Sequence, residues 1–129
     1  MKQIKKRLTP GQDLREEIEK LVKENQVKAG VVLSVVGGIK EGYFRMPDGK
    51  TVRHLGKPLE IVSGTGTISQ DNCHIHISAS DEEGSVVGGH LKPGCTVKET
   101  AEVVLLVFDD VVYKREPDEN TGYDELVIK

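Results

Sequence analysis

From residue 29 onward the chain is cut into strand-length runs by turn signals, and this punctuation limits the folds open to it. Gly37-Gly38, Pro47-Asp48-Gly49-Lys50, Gln70-Asp71-Asn72, Asp81-Glu82-Glu83-Gly84 and Lys92-Pro93-Gly94 supply the breaks. Between them lie β-rich runs at 29–36, 39–46, 51–55, 59–69, 73–80, 85–89 and 96–108. This is hairpin spacing, and Asp48-Gly49 favours a tight turn. Residues 2–8 read as a first strand, and 111–115 and 123–128 as closing strands around the polar loop 116–122. Val103 to Phe108 is almost wholly apolar. A strand of that kind is expected to be buried on both faces, by a helix on one side and a subunit partner on the other.

Only one segment carries helical periodicity. Leu14, Ile18, Leu21 and Val22 recur at i, i+4, i+7 and i+8, which places them on one face. Arg15, Glu16, Glu19, Lys20 and Lys23 occupy the other. Thr9 is placed to cap the helix, Pro10 suits the first helical position, and Gln12 completes a capping-box spacing. The helix therefore spans about residues 11–25 and ends near Asn25. One helix among many strands predicts an α+β domain, with a mostly antiparallel twisted sheet flanked by that helix.

The 129 residues suit a single domain spanning 1–129 with a real core. Aromatic residues make up 4% and tryptophan is absent, so valine, isoleucine and leucine must fill that core. The net charge of −3 argues against nucleic-acid binding by bulk charge. Lys2, Lys5, Lys6 and Arg7 read as a solvated strand edge. No apolar run approaches the roughly 20 residues that span a bilayer. The basic amino terminus lacks the apolar core of a secretory signal. Cys73 and Cys95 make no disulfide framework. A reduced, cytoplasmic setting without membrane contact is expected.

The chemistry concentrates in one arc. Cys73-His74-Ile75-His76-Ile77-Ser78 reads as a strand, so His74 and His76 project from the same face. Gly88-Gly89-His90-Leu91 returns a third imidazole on a neighbouring strand. Neutral imidazoles suit zinc, iron, nickel or copper, and three of them leave zinc an open coordination position. The competing reading is a set of histidines bonding across a polar subunit interface. Cys73 falls on the opposite face by alternation and reads as a core residue, as does Cys95 after its Pro-Gly turn. His54 reads as a surface histidine. Gly64-Thr65-Gly66-Thr67 lacks the lysine and following helix of a phosphate loop. Gly88-Gly89 reads as backbone geometry.

The ordered set His74-Ile75-His76-Ile77-Ser78, Asp81 to Gly84, Val87-Gly88-Gly89-His90-Leu91, Pro93-Gly94 and Thr100-Ala101-Glu102-Val103-Val104 resembles the plants and prokaryotes conserved (PPC) domain. Gly11-Gln12-Asp13-Leu14 is similar to that family's helix entry, and Leu59-Glu60-Ile61-Val62 to its Phe-Glu-Ile-Leu strand. The likeness covers about residues 3–114 and leaves 115–129 as an extension. It implies a homotrimer of unassigned activity, whose histidine cluster holds a metal, zinc first. It also singles out Glu102 as an acid or polar anchor supporting the histidines, ahead of Glu99 on the same strand and Asp81 or Glu83 on the turn, which position along the chain also offers. In plants the domain accompanies AT-hook motifs and regulatory partners. Here there is no Arg-Gly-Arg-Pro hook, Gln12 and Leu59 replace the usual acid and aromatic, and no arginine precedes Leu59. The leading expectation is a cytoplasmic homotrimer with a metal or small-ligand site near a subunit interface. Its rivals are a regulatory protein associated with DNA through self-association or protein partners, and a metal-dependent hydrolase or lyase acting on a small molecule.

Overall fold

Leu14, Ile18, Leu21 and Val22 are all buried, and they belong to a single helix, α1 (Leu14–Glu24). The remaining elements of the computed structural model, which describes residues 1–129, are strands. They are β1 (Lys2–Leu8), β2 (Ala29–Ile39), β3 (Gly42–Arg45), β4 (Val52–Leu55), β5 (Leu59–Ser69), β6 (Cys73–Ser80), β7 (Val86–Leu91), β8 (Val97–Val107), β9 (Tyr113–Pro117) and β10 (Asp124–Ile128). Eight form one sheet in the order β1-β8-β2-β5-β6-β7-β3-β4, while β9 and β10 form a separate hairpin. Every strand pair is antiparallel.

The helix starts later than the capping-box spacing implies. Gly11 adopts φ +87°, which a right-handed helix cannot contain. Thr9 and Gln12 therefore close a turn of their own, with Thr9 N donating to Gln12 Oε1 (2.9 Å) and Gln12 N to Thr9 O (3.2 Å). Asp13 is the cap: one carboxylate oxygen accepts from Glu16 N (3.0 Å) and the other from Gly94 N (2.6 Å). At the far end Asn25 bonds back to Leu21 O, as expected near that residue.

Gly37-Gly38 bends the chain without ending the strand, and β2 runs on to Ile39. Gly37 sits at φ +146°, where an added Cβ would fall 2.1 Å from Thr100 O on β8. Glycine is therefore what lets these two strands approach. The core is aliphatic apart from Phe44 and the two cysteines Cys73 and Cys95. On β8, Ala101, Val103, Leu105 and Val107 point to the helix side and are buried. Val104 and Leu106 point the other way and are only half-buried, so within one chain this apolar run is covered on one face alone. On the face without the helix, Leu33, Val36 and Val62 are 57%, 55% and 57% exposed.

The β9–β10 hairpin is tied down beside β5 and β6. Gln70 N donates to Tyr113 O (3.2 Å), Arg115 N to an Asp71 carboxylate oxygen (2.9 Å), and Arg115 Nη2 to Thr67 Oγ1 (2.9 Å). It thereby walls one side of the cleft in which the histidines lie.

Candidate metal centre

Alternation along β6 separates the histidines from the core. Cys73, Ile75, Ile77 and Ala79 are buried, whereas His74 and Ser78 are half-buried and His76 is exposed. On β7, His90 lies directly opposite His76. That pairing depends on Gly88, where a Cβ would meet Ile77 O at 2.2 Å. The glycine pair thus serves backbone approach, as its composition implied.

The three rings converge. His74 Nε2 and His76 Nε2 are 3.1 Å apart, and the ring centre of His90 is 5.3 Å from that of His74 and 5.8 Å from that of His76. One nitrogen from each lies within 4.8 Å of the others. Tetrahedral zinc with bonds near 2.0–2.1 Å holds its nitrogens roughly 3.3 Å apart. The His74–His76 pair already meets that spacing, and a nitrogen of His90 lies within 4.8 Å of both. The donor set fits zinc or another divalent transition metal.

The electrostatics disfavour protonation of His74 and His90. Burial, reinforced by Arg15 and Arg45, pushes the His90 imidazole down to about 4. Burial and the neighbouring His76 also lower His74, with Arg115 acting in the same direction. Both rings are therefore neutral at pH 7, the form that ligates metal. The unfolded chain protonates His90 near the ordinary 6.5, and the folded chain only near 4. Between these values the unfolded state binds more protons, so stability falls as pH drops through that window. Melting of metal-free protein from pH 7 to 4 should show this fall, and His90→Gln should flatten it. An equal slope in both proteins would contradict the assignment.

Arg15 lies beneath this arrangement. Helical spacing puts it on the polar face of α1, yet it is 7% exposed. Its guanidinium donates to Cys73 O (2.6 Å) and Leu91 O (2.8 Å), the carbonyls next to His74 and His90 in sequence, and to Glu19 Oε1 (2.7 Å). A long arginine at the edge of an amphipathic face gives no sequence signal of such burial.

A cleft of about 1060 Å³ opens over the cluster. Besides the histidines, Arg45, Asp71, Arg115, Tyr123, Asp124 and Glu125 line it. Arg45 Nη2 reaches His90 Nδ1 at 3.4 Å. Glu102 is not in this cleft. It lies on β8, between Arg7 of β1 and Val36 of β2, and β8 is separated from β6 by β2 and β5. Within one chain it supports no histidine, because the sheet order places two strands between motifs that are close in sequence. Glu99, Asp81 and Glu83 do not line the cleft either. The Asp81 carboxylate instead pairs with Lys57 (2.9 Å). Of the acids that do line it, Asp71 comes from the turn between β5 and β6, and Asp124 and Glu125 from the terminal hairpin, where no motif marks them.

Cys73 and Cys95 are buried free thiols, each pushed up to about 11 by burial. Cys95 Sγ accepts from Tyr43 N (3.2 Å). His54 is exposed, bonded to Glu41 (2.9 Å) and stacked on Tyr43 at 4.3 Å. None of these three joins the cluster. No helix is long and apolar enough to cross a membrane.

The pattern of a Plants and Prokaryotes Conserved (PCC) domain matches residues 1–109. The bifunctional protein GlmU of Synechococcus sp. strain JA-2-3B'a(2-13) is 41% identical over 123 residues, covering 95% of this chain and 20% of that protein. The chain thus spans about a fifth of the length of the curated relatives it matches. A hypothetical protein from Salmonella cholerae-suis superposes with a TM-score of 0.95 at 31% identity, over 99% of this chain and 93% of its own. A metal-containing protein from Archaeoglobus fulgidus gives 0.81 at 30% identity, over 98% and 94%. A Bacteroides thetaiotaomicron protein provisionally described as DNA-binding shares the fold, with a TM-score of 0.87 at 19% identity over 97% and 91%.

Proposed function

The chain belongs to the Plants and Prokaryotes Conserved (PCC) domain family, and on that premise we propose that it is a cytoplasmic homotrimer holding a divalent transition metal, zinc first, on His74, His76 and His90. The observation that carries this reading is the convergence of three imidazole nitrogens within 4.8 Å. The lowered proton affinity of His74 and His90 supports it. So does the similarity to a protein described as metal-containing. A metal bound there would supply Lewis-acid chemistry to a small ligand in the cleft. The chain's own contribution is to hold the His74 and His90 imidazoles neutral and to line the approach with Arg45, Arg115 and Glu125. Metal analysis of protein purified without a nickel column tests this reading. About one equivalent per chain is expected, and none, with none taken up on adding zinc, overturns it.

Assembly rests on the sheet face without the helix, which exposes Leu33, Val36 and Val62 beside the half-buried Leu106. Apolar clusters of this kind mark interfaces. The same sheet face carries the histidines, so association through it would bring the cleft close to a neighbouring subunit. Sedimentation of the wild type is expected to give a trimer, and Val36→Glu a smaller species of unchanged secondary structure. A monomeric wild type would contradict this.

The enzymatic alternative, a hydrolase or lyase, draws on the acids Asp124 and Glu125 in the cleft. Direct DNA association lacks support in the charge of −3.

A further inference from the structure

The cleft carries two arginines without carboxylate partners. Eight ion pairs occur in the chain, and neither Arg45 nor Arg115 takes part in any of them. Arg45 spends its guanidinium on Met46 O (3.2 Å) and on the long contact to His90 Nδ1 (3.4 Å). Arg115 donates from Nη2 to Thr67 Oγ1, the residue paired with His74 across β5 and β6. Its Nε is buried without a hydrogen-bond partner. A buried donor left unpaired is costly, so such a group is expected to meet a ligand.

Charge points the same way. Three imidazole ligands bring no negative charge to a divalent cation, and that cation, with Arg45 and Arg115, outweighs the carboxylates of Asp71, Asp124 and Glu125 that also line the cleft. The Asp71 carboxylate is already accepting from Arg115 N, and Asp124 and Glu125 pair with neither arginine. A guanidinium fork matches the two oxygens of a carboxylate or phosphate. We propose that the cleft binds a small molecule through a carboxylate or phosphate group held by Arg45 and Arg115 beside the histidine cluster. The proposal deepens the metal-site reading and rests on it: metal and anion neutralise each other, so each strengthens the binding of the other.

Cobalt(II) replaces zinc for the test because its visible spectrum reports changes around the metal. Cobalt-loaded protein in anion-poor buffer is titrated with inorganic phosphate and, separately, with acetate; the tighter arm distinguishes a phosphate from a carboxylate ligand. At least one is expected to shift the cobalt bands saturably. Arg115→Gln and Arg45→Gln are expected to weaken that binding at least about tenfold in protein that still takes up one equivalent of cobalt. Cobalt binding with no anion response, or a response indifferent to both substitutions, overturns the anion site and leaves the metal reading intact. If the wild type takes up no cobalt, the metal reading fails instead. Calorimetry with phosphate and acetate on that same protein then decides the anion site: arginine-dependent heat supports it and no heat overturns it.

Discussion

His76→Ala is expected to weaken metal binding by more than about 100-fold, beyond the 10–100-fold typical of losing a residue that merely supports a ligand. The side chain is exposed and its ring contacts are with the other two histidines. Truncation should therefore change the stability of metal-free protein by no more than about 0.5 kcal/mol. The separation of the two effects is the point. A histidine that served only packing or a polar interface would lose stability or assembly and leave metal uptake alone. Competition against a chromophoric chelator gives the affinity, and urea denaturation of metal-free protein gives the stability. Unchanged affinity would remove His76 from the ligand set. The same experiment on His54→Ala is the control, since His54 is bonded to Glu41 away from the cluster and should leave affinity untouched.

Arg15→Ala should be the most destabilising of the single changes considered, by about 3–5 kcal/mol. It removes two short charge-assisted bonds from a buried guanidinium and leaves Cys73 O and Leu91 O without them. Against a typical domain stability of about 5–15 kcal/mol, that is a large share. Arg15→Lys keeps the charge but not the fork that spans the two strands, so it should recover only part of the loss. Urea denaturation of the metal-free proteins measures this directly, and a loss below about 1 kcal/mol for the alanine variant would contradict the clamp. The consequence reaches the site. Cys73 and Leu91 flank His74 and His90, so any variant that still folds should hold these two imidazoles less firmly together and bind metal more weakly.

The strands were legible because their boundaries are written in local chemistry. Turn residues end β3 at Asp48-Gly49 and separate β5 from β6 at Gln70-Asp71-Asn72, and period-two alternation puts His74 and His76 together. The convergence of His90 also followed, since a single short turn returns the chain beside β6. Three features were not legible. Asp13 caps the helix because Gly11 takes positive φ and Gly94 returns to meet the carboxylate, and that second contact comes from a residue far along the chain. Arg15 is buried because two backbone carbonyls of different strands await it, which a helical wheel cannot show. Glu102 is the acid that the family resemblance singles out to support the histidines, but within one chain β2 and β5 lie between its strand and theirs. The groups that do share the cleft, Arg45, Arg115 and Glu125, arrive from β3 and from the terminal hairpin. Strand order, which depends on long-range pairing, decided those neighbours.

Anomalous diffraction at the zinc edge, from crystals of protein loaded with zinc and washed free of excess, tests the central claim most directly. The expected result is one strong peak per chain within bonding distance of a nitrogen from each of His74, His76 and His90. No peak there, or a peak held by other residues while these three imidazoles stay unligated, would contradict it.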